Sequence, residues 1–107
     1  QRATQESQEL SIDSIQRMVA RHFDLTPELL IGKTRKQEVA SPRQIAMYLA
    51  KRHTKNPLKV IGLHFGNRDH STVIHAVQTV DRKCGEDPAF ARTVQSLSEE
   101  LLQQLPA

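Results

Sequence analysis

A chain of 107 residues with 37% apolar content is long enough for one domain around one modest core. Three Phe, one Tyr, no Trp and four Gly imply an aliphatic, helical core and argue against an all-β fold. No apolar run reaches membrane-spanning length, no secretory signal pattern opens the chain, and the single Cys84 excludes an internal disulfide, which fits a reducing compartment.

The chain opens at Gln1, as a piece of a larger protein would. The net charge of +3 is unevenly spread. From Lys33 to His70 nine Lys/Arg face only Glu38 and Asp69, a balance of +7, whereas residues 1–32 and 71–107 each carry −2. A basic middle between acidic flanks points to a polyanion partner on one side of the molecule. The bland alternative is a solvated charged surface.

In chain order, residues 1–10 are polar and read as a linker, leaving 11–107 as a helical domain. From Ser11, a candidate N-cap, Ile12, Ile15, Val19 and Phe23 recur at helical spacing beside Met18, and Asp13 suits the first turn. Asp24 to Pro27 breaks this helix. Thr26 then caps a short one, with Pro27 at its first position, running through Leu29, Leu30 and Ile31 to Gly32. Lys33 to Glu38 holds no apolar residue and reads as an exposed loop. Ser41-Pro42-Arg43-Gln44 looks like a capping box that starts the next helix, whose buried face is Ile45, Tyr48 and Leu49 with Ala46 and Ala50. Asn56-Pro57 repeats the cap-plus-proline start, and Leu58, Ile61, Gly62 and Phe65 follow up to Gly66. Asp69 caps a further helix striped by Val73, Val77, Val80 and Cys84, with Ile74 and Ala76 alongside. Gly85 to Pro88 ends it, and Pro88 to Leu105 forms the last.

The densest signal is Gly66 to Ala76, reading GNRDHSTVIHA. A helix-ending glycine is followed by an arginine, an aspartate, a histidine and two hydroxyls at the start of a second helix. A core has no need of so many polar heads there; an array of base edges and phosphates does. Gly62 allows a close helix crossing and Gly66 a left-handed turn, so residues of about 57–84 read as a helix–turn–helix. Each polar residue also has a plainer role. Asp69 is a sufficient N-cap, and Ser71 and Thr72 can bond their own backbone. The pair itself can be an ordinary αα-corner.

Two other motifs fail. Gly32-Lys33-Thr34 ends like a phosphate-binding loop, but Pro27 stands where its first glycine belongs. His64, His70, His75 and Cys84 lack metal-ligand spacing.

GNRDHSTVIHA closely resembles the signature of the C-terminal DNA-binding domain of the bacterial DnaA family of chromosomal replication initiators. ELLIGKTRK, VASPRQIAMYLAKRHT and PLKVIGLHFG match it in order, so the likeness covers about Ile12 to Leu102. The resemblance implies an all-α domain of about six helices with a helix–turn–helix of the Trp-repressor-like kind. It implies that the helix starting at Asp69 enters the major groove of double-stranded DNA. Asp69, His70 and Ser71 would face bases, and Arg35 would reach the adjacent minor groove. Lys33, Arg43, Gln44, Lys51, Leu58, Lys59, Arg68, Thr72 and His75 would hold phosphates or backbone. The implied target is a short asymmetric box of the type TTATNCACA in a replication origin, bound by a monomer. Ser71 stands where many relatives have Thr, Lys59 where some have Pro, and Thr34 and Gln37 where some have Arg.

By the same resemblance this domain is no enzyme and needs no cofactor. The full-length protein would add an ATPase module using ATP/ADP and Mg and would oligomerise on origin DNA. It would be cytoplasmic and nucleoid-associated, with acidic phospholipids as a partner near the N-terminal linker helix. The rival readings are a helix–turn–helix transcriptional regulator and a helical protein–protein adaptor with a basic face.

Overall fold

The computed structural model describes residues 10–104. Among them lie six helices and no strand: α1 (Ile12–His22), α2 (Pro27–Ile31), α3 (Gln37–His53), α4 (Leu58–His64), α5 (His70–Glu86) and α6 (Pro88–Gln103). The linker expected over residues 1–10 falls outside the described residues except at its last position. There Leu10 is half-buried and packs on the core.

α3 is the hub. Its residues Ile45 to Ala50 are all buried, so neighbours surround this stretch on every side. α5 packs most extensively against it, and α1, α2 and α4 also touch it. α6 closes the far side on α5 and α1, burying Leu97 and Leu101 completely. His53 Nε2 meets Ser98 Oγ at 2.7 Å and ties the end of α3 to α6.

Three of the expected caps form. Ser11 Oγ accepts from Ser14 N at 3.0 Å, and Ser14 Oγ accepts in return from Ser11 N. Thr26 Oγ1 accepts from Leu29 N, and Asp69 caps α5.

Two other helix starts differ. α3 begins at Gln37, a full turn before Pro42, so the box at Ser41 does not form and Pro42 sits inside the helix. The added turn exists because Val39 has a place in the core, at 5% exposure, and the Val39 and Ala40 amides both bond to Lys36 O. The exposed loop therefore shortens by two residues. At α4 the N-cap is Pro57, and Asn56 instead donates through Nδ2 to Thr54 Oγ1.

The end of α5 differs as well. The helix runs through Gly85 to Glu86, and Asp87 closes it while accepting from the Ala89 and Phe90 amides of α6. Gly85 is thus an exposed glycine within a helix, with open space where a Cβ would go. Gly85→Ala is expected to stabilise the domain by about 0.5–1 kcal/mol, because alanine loses less backbone entropy in a helix. A thermal midpoint that failed to rise would contradict a continuous α5.

Candidate nucleic-acid interface

α4 and α5 meet at a five-residue turn, Phe65 to Asp69, which is built to be tight. A Cβ on Gly62 would collide with Arg68 O, so only glycine lets the turn lie flat on α4. Gly66 has φ +77° and Asn67 φ +62°, both left-handed. Arg68 N bonds Gly62 O at 2.9 Å and Asn67 N bonds Leu63 O at 3.3 Å, which occupies carbonyls at the end of α4. Gln16 completes this end: it is 6% exposed, and its Nε2 donates to His64 O at 2.7 Å. Its burial is readable from position, since it lies four residues after Ile12 and three before Val19 on the buried face of α1.

At the start of α5 the polar residues organise around one atom. Asp69 Oδ1 accepts from Ser71 Oγ at 2.9 Å, from Thr72 N at 3.1 Å and from Thr72 Oγ1 at 3.0 Å. Among the described residues nothing bonds to Oδ2. The Ser71 hydroxyl, then the Thr72 amide and hydroxyl, hold the Asp69 carboxyl below the usual carboxylate range. It is therefore an exposed carboxylate with one oxygen engaged in the cap and one left for an outside donor. His70, Ser71 and His75 are all exposed on the same helix. Thr72 is exposed too, and its hydroxyl and amide, like the Ser71 hydroxyl, are directed to Asp69.

The basic residues fall into two kinds. Lys33, Arg35, Lys51 and Lys59 are exposed. Arg43 is buried, at 6% exposure, and it donates from Nε to Leu30 O (2.7 Å), from Nη1 to Thr34 O (3.0 Å) and from Nη2 to Leu29 O (3.3 Å). Arg43 is thus framework for the Leu29–Thr34 segment. Arg68 likewise commits Nη2 to Gly32 O at 2.7 Å and Nη1 to Phe65 O. Burial pushes both guanidiniums below the usual arginine range, and the charge of Arg68 adds to the effect on Arg43.

Lys33, Arg35, Arg43, Gly66 and Arg68 line one open cleft of about 400 Å³. A smaller recess of about 120 Å³ brings Gln44 of α3 together with Arg68, Thr72 and His75. Arg43 and Arg68 border both, so the Arg35 loop and the start of α5 share one surface. Lys51, Leu58 and Lys59 line neither depression, and Leu58 is half-buried against the core. The ion pairs among the described residues engage other cations: Arg17 with Asp13, Arg21 with Glu100, and Arg82 with Glu86. No cation from Lys33 to Arg68 has a carboxylate partner among the described residues. Nor do three or more His, Cys, Asp or Glu gather there as a metal site would require.

A tight helix–turn–helix, a polar helix start and a basic surface without acidic partners define the class of helix–turn–helix DNA-binding domains. Residues 12–80 match the family model described as "Bacterial dnaA protein helix-turn-helix". The chain belongs to the DnaA family, and what it shares with that family is the C-terminal helix–turn–helix domain and not an ATPase module.

It is 42% identical over 95 residues to the chromosomal replication initiator protein DnaA of Chlorobaculum tepidum, covering 89% of this chain and 19% of that protein. It is 46% identical over 93 residues to the DnaA of Flavobacterium psychrophilum, covering 87% and 20%. A crystal structure of a DNA replication initiation factor superposes with a TM-score of 0.79 at 26% identity, covering 89% of this chain and 29% of that one. The chain thus spans about a fifth of the length of the curated relatives it matches.

Proposed function

We propose that this chain is a sequence-specific double-stranded DNA-binding domain that serves the initiation and regulation of chromosomal replication. The start of α5 reads base edges in the major groove through Asp69, His70 and Ser71. Arg35 enters the neighbouring minor groove, so a monomer gains the second groove contact that dimeric readers take from a partner subunit. The target is an asymmetric origin box of the type TTATNCACA. Lys33, Gln44, Lys51, Lys59 and His75 hold the backbone, with the amide end of α4 near Leu58. In the full-length protein a separate module supplies ATP/ADP and Mg chemistry and oligomerisation on origin DNA, in the bacterial cytoplasm at the nucleoid.

The observation that carries this reading is the run of cations from Lys33 to Arg68 without acidic partners, laid beside a helix start where Asp69 keeps one acceptor oxygen unused. Stability alone gives no reason to leave so many like charges unpaired on one stretch; counterion release on a polyanion does. Acidic phospholipid has less support, because Arg17 and Arg21 of α1 are already paired with Asp13 and Glu100. No helix among the described residues is long and apolar enough to cross a membrane.

The test is salt dependence. If about five phosphates are neutralised, log Kd against log salt has a slope of magnitude about 4 to 5. Lys51→Ala removes one exposed cation, so it weakens box and non-box duplexes by similar factors and makes the slope shallower by roughly one unit. Binding that stayed flat with salt would favour the protein-adaptor reading.

A further inference from the structure

We infer that Arg68 is a positioning residue whose forked guanidinium sets the span between the loop that carries Arg35 and the helix that starts at Asp69. This rests on the two-groove reading above. Arg68 stands immediately before the Asp69 cap, so its backbone belongs to the approach to α5. One arm of its side chain holds Phe65 O within the turn. The other crosses to Gly32 O at 2.7 Å, next to Lys33 and three residues from Arg35.

The far side of the same segment is held from α3, where Arg43 takes the carbonyls of Leu29, Leu30 and Thr34. Gly66 lets the two parts approach: a Cβ there would run into Ile31 O and come within 2.9 Å of Arg68 Nη1. Thus the Leu29–Thr34 backbone, which aims the loop, is pinned to the turn by Arg68 and to the hub helix by Arg43. A planar fork with fixed donors suits two carbonyls from separate segments, whereas an ammonium on a flexible stem does not fix their separation. Both guanidiniums bond only to carbonyls, so neither charge is neutralised internally. The clasp holds position without cancelling the basic surface.

The test uses Arg68→Lys, which keeps the charge and loses the fork, and Arg68→Gln, which loses both. Two readouts are taken well below the melting temperature of each variant. The first needs no DNA: the rate of tryptic cleavage after Lys33, Arg35 and Lys36 in the native domain. Arg68→Lys is expected to raise it about tenfold, while cleavage after Arg82 and Arg92 on α5 and α6 stays at the wild-type rate. A uniform rise at all sites would mean global destabilisation and would overturn the clasp, as would no rise at the loop.

The second readout is box against random duplex. Arg68→Lys should lower the preference roughly tenfold with the salt slope unchanged, and Arg35→Ala should cost several-fold less in the Arg68→Lys background than alone. If Arg68→Lys instead binds like wild type, while Arg68→Gln weakens both duplexes equally and flattens the slope by about one unit, Arg68 is a phosphate contact and not a positioning residue. A wild type without box preference sinks the two-groove reading; the loop-cleavage rate then judges the clasp independently.

Discussion

Gly66→Val should cost the domain about 3 kcal/mol or more, because two penalties fall on one residue. The backbone there has φ +77°, a region that β-branched side chains resist. The new Cβ would also collide with Ile31 O, a backbone atom of the neighbouring segment that cannot swing aside as a side chain would. Relief requires opening the contact between α2 and the turn, where Arg68 is bonded to Gly32 O. For a domain of this size the loss corresponds to a thermal midpoint lower by at least roughly 10 °C. Circular dichroism melts of Gly66→Val beside wild type check this. A variant that melts like wild type would mean that the turn is not left-handed at Gly66. His70→Ala is the companion control: His70 is exposed, so its loss leaves the midpoint almost unchanged and weakens box binding alone.

The second large effect is on selectivity. Asp69→Ala should lower the box-to-random ratio by roughly ten- to a hundredfold, the range of a lost base-edge contact. Non-specific binding should hold or strengthen, since a negative charge leaves the interface. The cap complicates this variant, because Oδ1 accepts three bonds that organise the first turn of α5. Its contribution persists at neutral pH and is lost only as pH falls through the lowered carboxyl pKa. Asp69→Asn separates the roles. An amide caps well but puts a donor group in place of one carboxylate oxygen. Selectivity should fall in Asp69→Asn while the thermal midpoint stays close to wild type. Should Asp69→Asn prefer the box as strongly as wild type, Asp69 is only a cap and the reading belongs to His70, Ser71 and Arg35.

Local chemistry explains why much of this is legible in the sequence. Ser11, Thr26 and Asp69 cap where expected because each sits directly before a helical stripe and needs no tertiary partner. Gly66 is legible because only glycine takes that turn without strain. Pro42 misleads because proline favours a first helical turn, yet the burial of Val39 outweighs the hydrogen bond lost inside α3.

The anchoring of the two arginines is hidden for a different reason. Charge counting does not tell a free cation from an anchored one, and a guanidinium bonded to backbone carbonyls has no charge partner to reveal it. Arg43 does carry a signal, lying four residues after Val39 and three before Ala46 on the buried face. Arg68 carries none for its cross-segment bond, since Gly32 is 36 residues away. Leu29, Ile31 and Ile74 pass for core by apolarity, but each is more than a third exposed, because the helices they belong to turn those positions outward.

The most direct measurement is a titration of this chain against a labelled duplex carrying one asymmetric box and against the same duplex with the box scrambled, at moderate salt. A two-groove monomeric reader predicts a single one-to-one complex with the box, on the order of 10³-fold tighter than with the scrambled duplex. Equal affinity for both duplexes, or selective binding only to a palindrome occupied by two copies, would contradict it.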